Sequence, residues 1–333
     1  MRHFIALMIC ALLVLAGSNT IVAQEEIGGP YEPDSATVLL LHFDDNFTNE
    51  SDLSGAPVPH GNYNFLDASA NPELNQSLRL NNDAEGDSSH VTVPDTAALD
   101  MTGSWTIEGW VNIFTFGTGA DDWRFAPRLI MKPGDPFWTP NYYIEAYGSS
   151  RIFRTGYHYE VGDGGWIQSD TPENTLQAGT WYHITFIRDT TLNAIVHMLH
   201  DADGNLIFFG TQGYDPINQS PPNVNDHPLY IGFGGGGNDS WLDGFVDEIR
   251  ISNVVRNFAI PPIITDVSTY RNQTTDATSF PINATLTKIG DGTISSTVLY
   301  WKTDDMTTWN EATMSEGEGR VWTGEIPTQE AGS

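Results

Sequence analysis

"SWLDGFVDEIRIS", residues 240–252, alternates like a β-strand with one member out of place. At period two, Phe245, Asp247, Ile249 and Ile251 share one face, and Val246, Glu248, Arg250 and Ser252 share the other. The two isoleucines mark their face as the buried one. Asp247 is therefore expected to point coreward, where an unpaired carboxylate is costly. The strand needs a partner for it: backbone N–H groups at a bulge, Arg79 or Arg250, or a cation.

Working outward, the same pattern recurs along the chain. "TVLLLHFD" (37–44), "SLRLNN" (77–82), "SHVTVP" (89–94), "SWTIEGWVNIF" (104–114) and "NYYIEAYG" (141–148) read as strands. "RIFRTGYHYEV" (151–161), "WYHITFIRD" (181–189), "NAIVHMLHD" (193–201) and "PLYIGF" (228–233) read likewise. Gly, Pro, Asn and Asp fill the gaps, and no long window keeps a helical period. Many short strands without intervening helices predict an all-β sandwich or barrel. A boundary is expected near "NFAIPPIITDV" (257–267), because Pro261 and Pro262 cannot join an interior strand. Beyond it, shorter alternating runs predict a second, partial β domain over 259–333, with too few strands to close a sandwich.

The 333 residues carry 14 basic and 43 acidic side chains, a net charge of −29. Such a charge repels nucleic acid and anionic lipid, which excludes both as partners, while it suits divalent cations. Residues 1–23 read as a secretory signal: Arg2 and His3, an apolar run from Phe4 to Ala16, then small residues, with cleavage expected after Ala23. The run is too short for a comfortable membrane span. Residues 24–35 read as a linker. The single cysteine, Cys10, falls in the signal, so the mature chain has no disulfide. An exported bacterial protein, secreted or held at the cell surface, fits this better than an animal secreted one.

Six pieces, in order, resemble the bacterial LamG-like (laminin G, concanavalin A-like) jelly-roll family. They are "LLLHFDDN", "SLRLNNDAEGDSSHVTVPDT", "SWTIEGWVN", "LQAGTWYHITFIRD", "PLYIGF" and "WLDGFVDEIRISNVVRN", covering residues 36–258. The hairpin "HDADGNL" is longer than the family's usual turn. The tail resembles the Ig-like or fibronectin-type modules that follow such domains. The resemblance implies a concanavalin A-like jelly-roll sandwich and a structural Ca²⁺ where first and last strands meet. Asp44 and Asp247 match the family's aspartates there, and Asn82 is an expected further oxygen donor. A hard cation takes six to eight oxygens, so carbonyls would complete the set.

No nucleophile elbow, His-Glu-x-x-His or phosphate loop is present. "GFGGGGND" (232–239) reads as a hairpin loop and "DADGN" (201–205) as a tight turn. The paired carboxylates of a glycosidase are missing, and Glu108 stands as a lone acid. His183 and His197, inside apolar strands, read as core or rim histidines. The chain is therefore expected to be non-catalytic. Its remaining functional signal is aromatic. Trp138, Trp166, Tyr157 and Tyr159 stand among Gly, Pro, Asn and Asp, as sugar-stacking rings do, with the two tryptophans expected on loops. The expected function is a secreted binding module for a glycan or cell-surface ligand. A spacer or adhesion segment, or an accessory domain of a secreted glycoside hydrolase, are the alternatives.

Overall fold

The computed structural model describes residues 8–12, 27–82, 88–116, 127–135, 139–148, 150–160, 164–233, 241–258, 263–268, 279–287, 294, 296–302 and 307–327. The chain divides into two compact units, one of Glu26–Arg256 and one of Met1–Glu25 with Asn257–Ser333.

A first strand, β1 (Met8–Leu12), belongs to the second of these units. The jelly-roll unit begins with β2 (Thr37–Leu41), β3 (Val58–His60), β4 (Tyr63–Leu66), β5 (Ser77–Leu80) and β6 (His90–Val93). Then come β7 (Trp105–Ile113), β8 (Arg128–Lys132), β9 (Tyr142–Tyr147), β10 (Ile152–Tyr159) and β11 (Gly165–Asp170). It closes with β12 (Trp181–Asp189), β13 (Ala194–His200), β14 (Leu206–Gly213), β15 (Leu229–Ile231) and β16 (Gly244–Ser252). These form two antiparallel sheets. One runs β11-β10-β9-β8-β15-β6-β3. The other runs β14-β13-β12-β7-β16-β5-β4, with β2 also paired to β16. The inner faces enclose one apolar core, with Leu39, Leu41, Ile107, Val111, Ile249 and Ile251 from one sheet and Val91, Val93, Ile144 and Phe153 from the other. The all-β sandwich expected from the alternation is what forms.

The opening strand departs from simple alternation. β16 pairs with β7 in register from Gly244 to Asp247, slips, and resumes at Arg250 opposite Glu108. Two residues, Glu248 and Ile249, thus oppose the single Gly109, which is a β-bulge. Glu248 takes the strained φ of 47° there. The bulge resets the phase. Asp247 stands opposite Trp110, on the outer face, while Ile249 and Ile251 remain in the core. The expectation that Asp247 shares the isoleucines' face is thereby corrected.

The second unit continues with β17 (Ile263–Thr265), β18 (Ser279–Thr287), β19 (Ser296–Trp301), β20 (Asn310–Glu316) and β21 (Val321–Pro327). Its six strands run β1-β19-β20-β21-β18-β17 around a small core of Ile282, Leu286, Leu299, Met314 and Trp322. The second, partial β domain expected here forms one sheet among the described residues, and its expected Ig-like character is not confirmed. β1, inside the stretch read as a signal, pairs antiparallel with β19. Met8–Leu12 of that apolar run thus form an edge strand of this sheet.

Candidate functional site

Asp247 sits in a gap in the sheet. The edge of β16 is paired by β5 through Gly244–Val246 and by β2 through Ile249–Ser252, and neither reaches the residues between. Its carboxyl is fully buried. One oxygen accepts the Glu248 N–H at 2.9 Å, and the other has no hydrogen-bond partner. Burial, then the charge of Glu248, push its pKa up to about 9, and Asp44 adds to the rise. Arg79 and Arg250, the other candidate partners, are engaged elsewhere, with Asp243 and Glu108.

The expected metal residues divide. Asp44 lies near enough for its charge to raise the Asp247 pKa, and it accepts from Gln76 N at 2.9 Å and Asn75 Nδ2 at 3.0 Å. Asn82 does not come there. Its amide ties the β5–β6 connection between the two sheets, donating to the Ser89 and Leu242 carbonyls and accepting from Ser89 N. It is spent as a turn residue, which corrects its reading as a donor to the cation. Among the described residues, no three His, Cys, Asp or Glu side chains gather into a metal cage. The orphaned Asp247 oxygen suits a hard cation, but as one carboxylate beside Asp44, with backbone oxygens needed for the rest.

Glu108, the lone acid, is sealed. It stands on the outer face of β7, opposite Arg250, and is fully buried. Its Oε1 accepts from Arg250 Nε at 2.8 Å and Nη2 at 2.7 Å, and its Oε2 accepts from the Tyr31 hydroxyl at 2.9 Å. The covering piece is the segment Gly28–Tyr31. The Tyr31 ring lies 3.8 Å under the Arg250 guanidinium, its hydroxyl meets His183 Nε2 at 2.8 Å, and its N–H donates to Glu248. Trp110 Nε1 donates to the Gly28 carbonyl at 2.7 Å. Gly28 is required: it takes φ +91°, and a Cβ there would lie 2.6 Å from the Trp110 ring. Burial holds the His183 ring well below the usual imidazole range. His197, also fully buried, is pushed by burial to about 4. Both are interior histidines.

The expected aromatic residues separate by face. Tyr157 is fully buried in the core, its hydroxyl donating to the Gln219 carbonyl. Tyr159, two residues on, packs against the same core beside Gln219. Period two turns both inward, so Tyr157 is corrected from ligand contact to core and Tyr159 to its margin. Trp138 lies outside the described residues. Trp166 is 46% exposed. It sits on β11, directly opposite His158, rather than on the loop expected from its glycine neighbours.

Around Trp166 the outer face of the seven-stranded sheet assembles residues that the sequence did not single out. Trp166 meets Tyr143 edge-on at 5.7 Å and His158 edge-on at 5.1 Å. Gln168 and Asp170 follow on the same face of β11. Arg154 makes a two-pronged bond with Asp170 at 2.8 Å and lies 4.3 Å over the Tyr147 ring. At the other end of this face is a second group: His60, His90, Tyr230, Phe233 and Trp241. Neither group is contiguous in sequence, and only strand register brings each together.

A two-sheet antiparallel sandwich of this topology has the build of a jelly roll. Residues 85–259, just over half of the chain, match the family described as "Concanavalin A-like lectin/glucanases superfamily", and the chain belongs to it. Among solved structures it is similar to the binding domain of botulinum neurotoxin DC in complex with SialylT, at 11% identity and TM-score 0.46, over 89% of this chain and 79% of that one. It is also similar to the Ruminococcus gnavus IT-sialidase CBM40 bound to alpha2,3 sialyllactose, at 10% identity and TM-score 0.35, over 47% and 79%. A SAP-like pentraxin from Limulus polyphemus is similar at 13% identity and TM-score 0.31, over 49% and 67%. Comparison with curated proteins gives no match.

Proposed function

We propose that the protein is a secreted, non-catalytic carbohydrate-binding module whose sugar contact centres on Trp166, with Ca²⁺ at Asp247 and Asp44. The observation that carries this reading is a large ring left 46% exposed on a sheet face and propped edge-on by Tyr143 and His158. Sugars present apolar faces to such rings and hydroxyls to polar groups beside them. Gln168, Arg154 and Asp170 are those groups. Glu108 supports the non-catalytic part. A carboxylate closed over by Tyr31 and held by Arg250 offers no acid to a glycosidic bond. The calcium would neutralise the buried carboxylate and brace the gap between β2 and β5.

A glycan array with the full chain, followed by titration of its hits, tests the reading. Trp166→Ala is expected to weaken binding roughly tenfold, from about 1–2 kcal/mol of lost stacking, at unchanged melting temperature. Tyr157→Ala is the contrasting variant: it lowers melting temperature through a core cavity. Unchanged affinity in Trp166→Ala would remove the site.

A further inference from the structure

We infer that the seven-stranded sheet carries a second sugar platform, centred on His90 and Trp241, so that one chain grips a polymeric neutral glycan at two points. The inference deepens the carbohydrate reading above and rests on it. His60 and His90 face each other across β3 and β6, their rings stacked 4.5 Å apart at 11°. His90 is 5.3 Å from both Phe233 and Trp241, and these two stack at 3.8 Å and 12°. Tyr230, the neighbour on β15, lies 5.9 Å from His90. Val91 and Val93 fill the core, so alternation turns His90 and Thr92 outward. His60 is exposed and the other four rings are partly so. The core of this unit already has its aromatic filling in Trp105, Tyr142, Tyr157 and Phe186, each fully buried. Five clustered rings open to water need another explanation, and stacking on a ligand supplies one.

The charge selects the ligand class. Among the described residues, the second platform brings together no Lys, Arg, Asp or Glu. At the first, Arg154 is matched by Asp170. On a chain of net charge −29, such surfaces repel uronates, sulfates and sialates and accept uncharged sugars. The platforms are distinct sites. Met131, which lies on the sheet between Tyr143 of the first platform and Tyr230 of the second, is only 3% exposed. From β11 to β6 is five strand steps, about 24 Å at the usual spacing. A short oligosaccharide therefore occupies one platform at a time. A polymer reaches both, and the second contact then forms at high effective concentration.

The test uses the full chain in affinity electrophoresis through gels containing β-1,3-glucan, β-1,4-xylan, β-1,4-mannan, α-1,4-glucan or alginate. Calorimetric titration follows, with the trisaccharide of whichever polymer retards it. The expected stoichiometry is two trisaccharides per wild-type chain and one in each of Trp166→Ala and Trp241→Ala. Each variant should lose at least tenfold in polymer affinity. His60→Ala, on an exposed ring, repeats the second-platform test without risk to folding, and melting temperatures are recorded for all. A single trisaccharide site, lost in Trp166→Ala and untouched in Trp241→Ala and His60→Ala, overturns the second platform while the carbohydrate reading stands. Retardation by alginate alone overturns the neutral class. No retardation in any gel overturns both readings.

Discussion

Replacing Asp247 by asparagine should change how stability depends on pH, and the structure sets the size. The unfolded carboxyl titrates near ~3.9. Folded, burial and the neighbouring Glu248 push it up to about 9. The native state thus holds an extra proton between these values. The stabilising contribution is complete below about pH 4 and is lost as pH rises through about 9, by roughly 1.4 kcal/mol per unit. By pH 7 about three units have passed, so about 4 kcal/mol is gone. Asparagine keeps an acceptor for the Glu248 N–H and cannot ionise. In chelator, Asp247→Asn should therefore gain about 4 kcal/mol on wild type between pH 4 and pH 7. Calcium reverses the sign. An ionised carboxylate with a bound cation no longer suffers burial, and a ligand at a hundred times its Kd stabilises by about 2.7 kcal/mol. Urea unfolding at pH 4, 7 and 9, in chelator and in millimolar Ca²⁺, reads both effects. Parallel pH profiles of wild type and variant in chelator would refute the burial argument, and identical wild-type curves with and without Ca²⁺ would refute the calcium.

Other expectations concern the sealed face and the core. Glu108→Gln leaves the Arg250 charge buried without its carboxylate and should cost about 3–5 kcal/mol in urea unfolding. It should do so with no change in reducing-sugar release, because none is expected from the wild type. Tyr31→Phe keeps the ring under Arg250 but removes one hydroxyl from Glu108 and His183, costing about 1–3 kcal/mol. A neutral effect there would show that Gly28–Tyr31 does not cover this face in solution. Gly109→Ala places a Cβ 2.4 Å from Ile249 Cδ1 at the bulge and should destabilise by about 1–3 kcal/mol, read as a lowered melting temperature.

The sequence by itself determined the sandwich. Period-two runs between Gly, Pro and Asn turns are local signals, and six of them in a known order carry the jelly roll, because each strand's buried face is written in its own residues. It also determined that Glu108 has no catalytic partner nearby in the chain, and that Trp166 is a ring with polar company. What it did not determine depends on register and on contacts between distant segments. The alternation in "GFVDEIRIS" holds only while the strand keeps step. One extra residue at Glu248 shifts the phase and moves Asp247 to the opposite face, and a bulge is a property of two paired strands, not of one. Tyr31 reaches Glu108 across 77 positions, and His60, His90 and Trp241 meet only because β3, β6 and β15 are neighbours in the sheet. The distinction between Tyr157 in the core and Trp166 at the surface follows the same rule. Both are aromatics in strands, and only the packing of one sheet on the other decides which face each ring finds.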